Sequence, residues 1–239
     1  MSEVLKEQVV IVVGASSGMG RETARLFAGV GATVVLAARS KDKLEELAAE
    51  IGAGATVCVT DVEDAASVDQ LIAMVVEQLG RVATIVYATG TNIPNRGLEV
   101  LSAETWDTMM ATNLTGAFYC TKAVLPVMRQ QKNGLILYVS SGCVQMPDVS
   151  GVSYQATKHG MVGLSHGTFR EEQENGIRTT VIFPGLTDTP LVFKRPTPTP
   201  PEVMAKALKP EDVAEACLFV ASLPARARVP ELMMTPSGL

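Results

Sequence analysis

Residues 9–20 of the chain read VVIVVGASSGMG, a short apolar run followed by a turn that holds Gly14, Gly18 and Gly20. Five β-branched residues in succession are typical of a strand that is buried on both faces. A helical pattern follows at Arg21–Val30. Glycines in such a turn let the backbone approach a pyrophosphate, whose charge is stabilised by the free N–H groups of the helix N-terminus. The stretch predicts an anion-binding turn, with a tight structural turn as the alternative.

Strand and helix patterns alternate along the rest of the chain. The predicted strands number seven: Val9–Val13, Thr33–Ala37, Thr56–Val59, Thr84–Tyr87, Leu135–Val139, Arg178–Phe183 and Glu231–Met234. Helical patterns cover 18–30, 41–51, 64–80, 104–131, 151–176 and 211–223. Strand–helix–strand crossovers of this kind build a parallel sheet with helices on both faces. We therefore predict one α/β domain over residues 1–239, a doubly wound (Rossmann) fold with a parallel seven-stranded sheet.

One segment departs from this pattern. Residues 184–210 hold seven of the thirteen prolines. Proline at this density blocks regular helix and sheet pairing, and a long loop within a compact domain is typically functional. We interpret the part at about 186–210 as a substrate loop.

The composition excludes several classes of function. The 239 residues are 47% hydrophobic and carry a formal net charge of −5, which predicts a folded core without the basic surface that nucleic-acid or anionic-membrane binding needs. No apolar run approaches the ~20 residues that span a bilayer. Residues 1–8 lack the features of a signal peptide, so we expect a cytoplasmic protein. Two histidines and four cysteines without CxxC spacing predict no metal site.

The end of the second predicted strand bears on cofactor choice. Dinucleotide folds that use NAD usually place a carboxylate there for the ribose 2′-hydroxyl. This chain has Ala38 and then Arg39. A guanidinium pairs with a 2′-phosphate through two charge-assisted hydrogen bonds, so the sequence favours NADP(H). A solvated arginine is the alternative.

A second cluster of polar residues follows the fifth predicted strand. Ser141 stands where open α/β sheets bind ligands, and Tyr154 and Lys158 are four residues apart at the start of a long helix. A phenol has a pKa near ~10, and a nearby ammonium lowers it. We therefore expect Lys158 to lower the pKa of Tyr154. The spacing alone is common on exposed helices, but together with Ser141 and the glycine turn it favours catalysis.

These motifs together resemble the short-chain dehydrogenase/reductase family, in its compact single-domain branch. The residues that carry the resemblance are the glycine turn, Asp61, Gly90, Asn113, Ser141, Tyr154, Lys158 and Pro184-Gly185. The chain departs from the family's usual Asn-x-Ala-Gly at Tyr87-Ala88-Thr89-Gly90. With Tyr87 in place of asparagine, the hydrogen bonds there must be made differently.

The resemblance implies a catalytic role for four side chains. Tyr154 would be the general acid in ketone reduction, and Ser141 would polarise the carbonyl. Lys158 would bind the nicotinamide ribose, while Asn113 would bend its helix and hold a water that returns the proton through Lys158. The candidate cofactor contacts are Gly14, Ser16, Ser17, Gly18, Met19, Gly20, Arg39, Asp61, Val62, Gly90, Tyr154, Lys158, Pro184, Gly185, Thr187 and Thr189.

The expected activity is hydride transfer between NADP(H) and a ketone or secondary alcohol. The substrate is expected to be a small to medium, largely apolar carbonyl or 3-oxo compound, although Arg96, Lys194 and Arg195 lie in segments near the predicted site and are candidates to meet an anionic group. Two alternatives are a non-catalytic dinucleotide-binding redox sensor and a dehydratase or epimerase that uses the nicotinamide transiently. The resemblance also implies a homotetramer or homodimer, paired through the helices at about 104–131 and 151–176.

Overall fold

Seven parallel strands form the centre of the molecule. A computed structural model describes residues 4–239, so Met1, Ser2 and Glu3 of the N-terminal stretch lie outside the described residues. The strands are β1 (Val9–Val13), β2 (Thr33–Ala38), β3 (Ala55–Val59), β4 (Thr84–Tyr87), β5 (Gly134–Val139), β6 (Ile177–Pro184) and β7 (Glu231–Met234). Their order in the sheet is β3-β2-β1-β4-β5-β6-β7, which confirms the predicted fold class.

Helices cover both faces of this sheet. They are α1 (Gly18–Gly29), α2 (Lys41–Ile51), α3 (Ala65–Leu79), α4 (Ala103–Met110), α5 (Gly116–Gln131), α6 (Val152–Glu172), α7 (Pro201–Met204) and α8 (Pro210–Ala221). Strand β1 contributes to two cores because its side chains alternate between the faces. Ile11 packs into one core with Leu71 of α3, and Val12 packs into the other with Phe27 of α1. Within residues 4–239, no helix is both long and apolar enough to cross a bilayer.

The strand order positions the site. β1 pairs with β2 on one side and with β4 on the other. The connections therefore wind in opposite directions from β1, and open sheets of this kind bind ligands in the crevice beyond the carboxyl ends of the strands at such a point. The glycine turn after β1 lies at this crevice.

The chain is helical from Ala103 to Gln131, in agreement with the helix predicted over 104–131, but a π turn interrupts the regular α-helix at the position of Asn113. α4 ends at Met110, a π-helical turn spans Ala111–Thr115, and α5 begins at Gly116. Tyr87, which replaces the family's usual asparagine, contacts this π turn. Its side chain is only 1% exposed, and its hydroxyl donates a hydrogen bond to the Thr112 carbonyl oxygen at 2.5 Å. A buried phenol needs such a partner, and a π turn supplies a carbonyl placed for it.

The Pro-rich segment contains more helix than its sequence predicts. A 3-10 helix spans Pro190–Lys194, and Pro201 and Pro210 each begin an α-helix. The expectation that prolines exclude helix fails because the first helical position needs no N–H donor. Hydrogen bonds join the two ends of the segment: Asp188 N donates to Leu208 O at 2.8 Å, and Lys209 Nζ donates to an Asp188 carboxylate oxygen at 2.8 Å.

Candidate active site

The glycine turn after β1 is built from direct contact between backbones. Gly14 has φ +94°, a left-handed conformation that favours glycine, and a Cβ there would lie 2.8 Å from the Ala88 carbonyl carbon. A Cβ on Gly20 would overlap the Gly14 carbonyl oxygen. Side chains at these two positions would push apart β1, β4 and the first turn of α1. The turn therefore depends on both glycines to keep its shape.

The N-terminus of α1 has free donors. Ser17 is the N-cap residue, but its side chain accepts no hydrogen bond from the first turn, and that turn contains no acidic residue. The first N–H groups of a helix have no intrahelical acceptor and carry the positive end of the helix dipole. A Cβ on Gly18 would lie 3.3 Å from Thr189 Cγ2, so the Pro-rich segment borders the same turn. Open donors without a competing carboxylate fit a pyrophosphate.

Arg39 lies at the next edge of the crevice, directly after β2. Its side chain is 66% exposed, and one guanidinium nitrogen is 3.7 Å from Glu63 Oε1. Glu63 is also held by the π turn, since Thr112 Oγ1 donates to Glu63 Oε1 at 2.6 Å. Glu63 is not among the residues that the sequence predicts for the site. The exposed guanidinium has one weak partner and is free to turn toward a bound anion.

Asp61 and Val62 follow β3 at the same edge. The Asp61 carboxylate accepts a hydrogen bond from Glu63 N at 3.1 Å, which shapes the loop. The Val62 side chain is buried in the core that α3 shares with the sheet. Only the backbone of Val62 is therefore placed to meet a ligand at the sheet edge.

Tyr154 lies in an apolar cluster at the start of α6. Its ring packs with Met109 and Cys143, and Leu191 of the Pro-rich segment packs against them. The Ser141 side chain lines the same cavity as the Tyr154 phenol and lowers its pKa, and Ser141 Oγ accepts a hydrogen bond from Cys143 N at 3.3 Å. Burial raises the pKa of Tyr154, and this effect outweighs the lowering by Ser141 and Arg96. The expectation that Lys158 lowers the pKa of Tyr154 is therefore wrong for this structure. The phenol is protonated at neutral pH and is a proton donor.

The Lys158 amine lies behind Tyr154, one helical turn along α6. Its Nζ donates to the Val139 carbonyl oxygen at 3.0 Å and lies 5.6 Å from the centre of the Tyr154 ring. Gly90 is beside this amine, because a Cβ built on it would be 3.3 Å from Nζ. Burial lowers the pKa of Lys158 to about 8. The amine is therefore a buried cation at neutral pH whose charge is destabilised by its surroundings.

Asn113 is fully buried in the π turn and is fixed by three hydrogen bonds. Its Oδ1 accepts from Thr91 N at 2.8 Å, and its Nδ2 donates to Thr91 O at 3.0 Å and to Thr157 Oγ1 at 3.2 Å. Asn113 thus ties the loop after β4 to the helix that carries Tyr154 and Lys158. This contact gives it a positioning role independent of any bound water.

A cavity of about 360 Å³ joins these elements. Its lining includes candidate residues from four segments, namely Met19, Ser141, Tyr154, Pro184, Gly185, Thr187 and Thr189. Its other wall holds Asn92, Arg96, Asp148, Leu191 and Arg195. Of the glycine turn only Met19 is part of the lining. The other predicted site residues outside the lining are Gly14, Ser16, Ser17, Gly18, Gly20, Arg39, Asp61, Val62, Gly90, Asn113 and Lys158. Cys143 also lines it, and burial raises the pKa of that thiol, which makes it a wall rather than a nucleophile.

The two histidines lie apart from the cavity: His159 forms a hydrogen bond within α6, and His166 Nε2 is close to a carboxylate but has no hydrogen-bond partner among residues 4–239. His159 Nδ1 lies 2.7 Å from the Gln155 carbonyl oxygen, and His166 Nε2 lies 3.2 Å from Glu231 Oε1. In the part of the chain that the structure describes, no three His, Cys, Asp or Glu side chains are grouped to hold a metal ion.

Known proteins resemble the chain over nearly its whole length. The family model of the short chain dehydrogenases matches residues 8–198. An uncharacterized oxidoreductase of Staphylococcus aureus (strain MRSA252) is 32% identical over 234 residues, which cover 98% of this chain and 99% of that protein. The closed form of serine dehydrogenase complexed with NADP+ has a TM-score of 0.90 at 30% identity, covering 97% of this chain and 96% of that one. The 3-ketoacyl-(acyl-carrier-protein) reductase from Brucella melitensis, complexed with NADH, has a TM-score of 0.89 at 27% identity and 98% coverage of both chains.

Proposed function

The chain belongs to the short-chain dehydrogenase family of oxidoreductases, and from this premise we propose that it reduces a ketone with NADPH or oxidises the corresponding alcohol with NADP+. One observation supports the proposal most strongly. A protonated Tyr154 and the Ser141 hydroxyl line the same cavity as Met19 of the glycine turn and Thr189. A carbonyl in this cavity would meet two hydroxyl donors.

The cofactor site fits a dinucleotide. The free N–H groups of α1 would hold the pyrophosphate, with Gly14, Ser16, Ser17, Gly18, Met19 and Gly20 forming the turn around it. When bound, the reduced nicotinamide supplies a hydride. Lys158 would bind the ribose hydroxyls, and Thr187, Thr189 and the Pro184-Gly185 backbone would border the nicotinamide. Asp61 and the Val62 backbone would border the adenine.

The chain's own groups would complete the reduction. As a hydride reaches the carbonyl carbon, negative charge develops on the oxygen, and the Ser141 and Tyr154 hydroxyls donate hydrogen bonds to it. Tyr154 then passes its proton to that oxygen, which gives the alcohol and the oxidised dinucleotide. Lys158 and a water held near Asn113 would return a proton to Tyr154. In the reverse direction the Tyr154 phenolate would accept the alcohol proton.

Turnover assays test this activity. Incubation with NADPH and small ketones is expected to give net oxidation of NADPH and one alcohol for each NADPH consumed. A dehydratase or epimerase would regenerate its cofactor and consume none, and a redox sensor would bind NADPH without turnover.

Arg39 supports the preference for NADP(H) over NAD(H). The position directly after β2 holds Arg39 rather than a carboxylate, and its exposed guanidinium, 3.7 Å from Glu63 Oε1, is available to bind a 2′-phosphate. Arg39→Ala is expected to weaken NADPH binding roughly tenfold or more, because a hydrogen bond to a charged group contributes about 1.5–3 kcal/mol. NADH binding should change little. Fluorescence titration of both dinucleotides measures the effect, and equal losses for both would refute the assignment.

A matched variant controls for the loss of a positive charge. Arg81 is exposed and lies before the amino end of β4, whereas Arg39 follows the carboxyl end of β2. Arg81→Ala is expected to bind both dinucleotides as the wild type does.

Assembly as a homotetramer or homodimer and the cytoplasmic location stay predictions.

A further inference from the structure

Two arginines face the cavity of Tyr154 without a carboxylate partner. Arg96 and Arg195 both line it. Neither forms an ion pair with any Asp or Glu among residues 4–239. Arg195 donates to Thr199 Oγ1 at 3.0 Å. Arg96 donates only to backbone carbonyls, those of Ser150 at 3.4 Å and Lys194 at 2.7 Å.

Arg96 is the more unusual of the two because it is almost fully buried. Its side chain is 8% exposed, and its Nε has no hydrogen-bond partner. Burial and the neighbouring Arg195 both lower the pKa of Arg96, and Asp148 opposes them. Asp148 acts on Arg96 from across the cavity but forms no ion pair with it. A buried cation without a paired counter-ion is costly, as is a buried donor without an acceptor. An anionic ligand in the cavity would relieve both costs.

The backbone holds Arg96 in place before any ligand arrives. Gly151 has φ +92°, and a Cβ there would lie 2.7 Å from Arg96 Cβ, so the Gly151 backbone packs directly against Arg96. Asn92 Nδ2 donates to the same Ser150 carbonyl that Arg96 uses, at 3.0 Å. Three segments of the cavity wall therefore meet at Arg96. A donor fixed in this way loses little conformational freedom when it binds an anion.

Arg96 also shares its cavity with the reacting group. The positive charge of Arg96 acts on Tyr154 and lowers its pKa, although burial outweighs this effect. Both residues contact the same space of about 360 Å³. One small molecule with an anion at one end and a carbonyl at the other can meet both.

Taking the proposed function as given, we propose that the substrate is a small oxo acid or the corresponding hydroxy acid, whose carboxylate is bound by Arg96 and Arg195 while its carbonyl or hydroxyl meets Ser141 and Tyr154. A guanidinium matches the planar geometry of a carboxylate. The proposal modifies the expected substrate from a largely apolar molecule to one that also carries a negative charge. Leu191, Cys143 and Met146 form apolar walls of the cavity, and the two arginines form a site for one negative charge.

The test compares substrates that differ only in charge. Acetoacetate and 2-oxobutanoate are each paired with their methyl ester, and kcat/KM is measured with NADPH. The wild type should prefer at least one acid to its ester by roughly tenfold or more, as expected when a charged hydrogen bond is lost. Arg96→Gln and Arg195→Gln should each lower that acid-to-ester ratio by roughly tenfold. The control Arg81→Gln should leave it unchanged.

The acid-to-ester ratio of kcat/KM distinguishes recognition of the carboxylate from a structural role of the arginine. If a substitution only displaced the cavity wall, it would slow reduction of the acid and of the ester alike. Arg195→Gln keeps the test available if Arg96→Gln does not fold, since Arg195 is less buried. If the wild type reduces the esters as well as the acids, or if neither arginine variant changes the ratio, the oxo-acid proposal is wrong and the proposed function stands.

A binding measurement covers the case in which the proposed function fails. Calorimetric titration of the ligand-free protein with each oxo acid is expected to show binding that Arg195→Gln weakens roughly tenfold. If neither acid nor ester is reduced but this binding is observed, the anion site is supported and ketone reduction is refuted. If no oxo acid binds and none is reduced, the anion site is refuted as well.

Discussion

Tyr154→Phe is expected to lower kcat for ketone reduction by about 10²–10⁴-fold, the usual contribution of a positioned general acid. The substitution removes only the hydroxyl, and the ring that packs with Met109 and Cys143 remains. The pKa of Tyr154 is raised by burial, so at neutral pH the wild-type phenol carries the proton that the reaction needs. Single-turnover oxidation of NADPH in the presence of a ketone measures the effect.

Two comparisons make the Tyr154 result specific. Tyr119 on α5 is a partly buried tyrosine away from the cavity, and Tyr119→Phe is expected to retain wild-type turnover. NADPH affinity of Tyr154→Phe should remain close to that of the wild type, because Arg39 and the glycine turn are intact. Turnover of Tyr154→Phe above about a tenth of the wild-type rate would show that another group donates the proton.

Lys158→Met is expected to lose activity and gain stability. Activity should fall by about 10²-fold or more, because the proton return and the hold on the ribose are both removed. Burial lowers the pKa of Lys158 to about 8 from its ordinary value of 10.5, a shift that corresponds to about 3 kcal/mol of unfavourable charge burial. The lost hydrogen bond to Val139 O offsets about 1 kcal/mol of that gain. We expect a net increase of about 1–2 kcal/mol in the free energy of unfolding at neutral pH.

The pH dependence of this stability difference has a definite sign. Below about pH 8 Lys158 is charged in both the folded and the unfolded wild type, and the full cost of burying the charge is present. Between about 8 and 10.5 the unfolded chain binds the proton more tightly, so wild-type stability rises with pH. The advantage of Lys158→Met should therefore shrink over this range in urea unfolding experiments. Lys122→Met, on the exposed side of α5, should show no such trend. If the advantage of Lys158→Met stays constant over this pH range, burial of the Lys158 charge is not its cause.

Local patterns predicted the sheet and the turn. Twelve consecutive residues are enough to predict the first strand and the turn after it, namely the β-branched run Val9–Val13 and the glycines at 14, 18 and 20. Tyr154 and Lys158 are related by one helical turn, so their shared face followed from spacing alone. The strand and the shared helix face depend on the residue periods of strands and helices, which are the same in every protein.

The features that the sequence did not reveal depend on contacts between distant residues. The π turn at Ala111–Thr115 accompanies a hydrogen bond between Tyr87 and Thr112, 25 positions apart. The pKa of Tyr154 rises because Met109 and Leu191 close over it from two other segments. The placement of Arg96 likewise needs Ser150 and Lys194, 54 and 98 positions away. Sequence periodicity does not show which distant residues come into contact. The unusual tyrosine at position 87 did indicate that the hydrogen bonds in its neighbourhood differ from those of the family.

Transfer of an isotope label tests the central claim, direct hydride transfer in the Tyr154 cavity, most directly. The protein is incubated with NADPH that carries deuterium at the reactive C4 position and with acetoacetate or its methyl ester, and the product is analysed by mass spectrometry. If the hydride is transferred directly, the wild type forms an alcohol with one deuterium on the carbinol carbon, and Tyr154→Phe forms almost none. Consumption of the labelled NADPH without a deuterated alcohol, or equal yields from the two proteins, would contradict it.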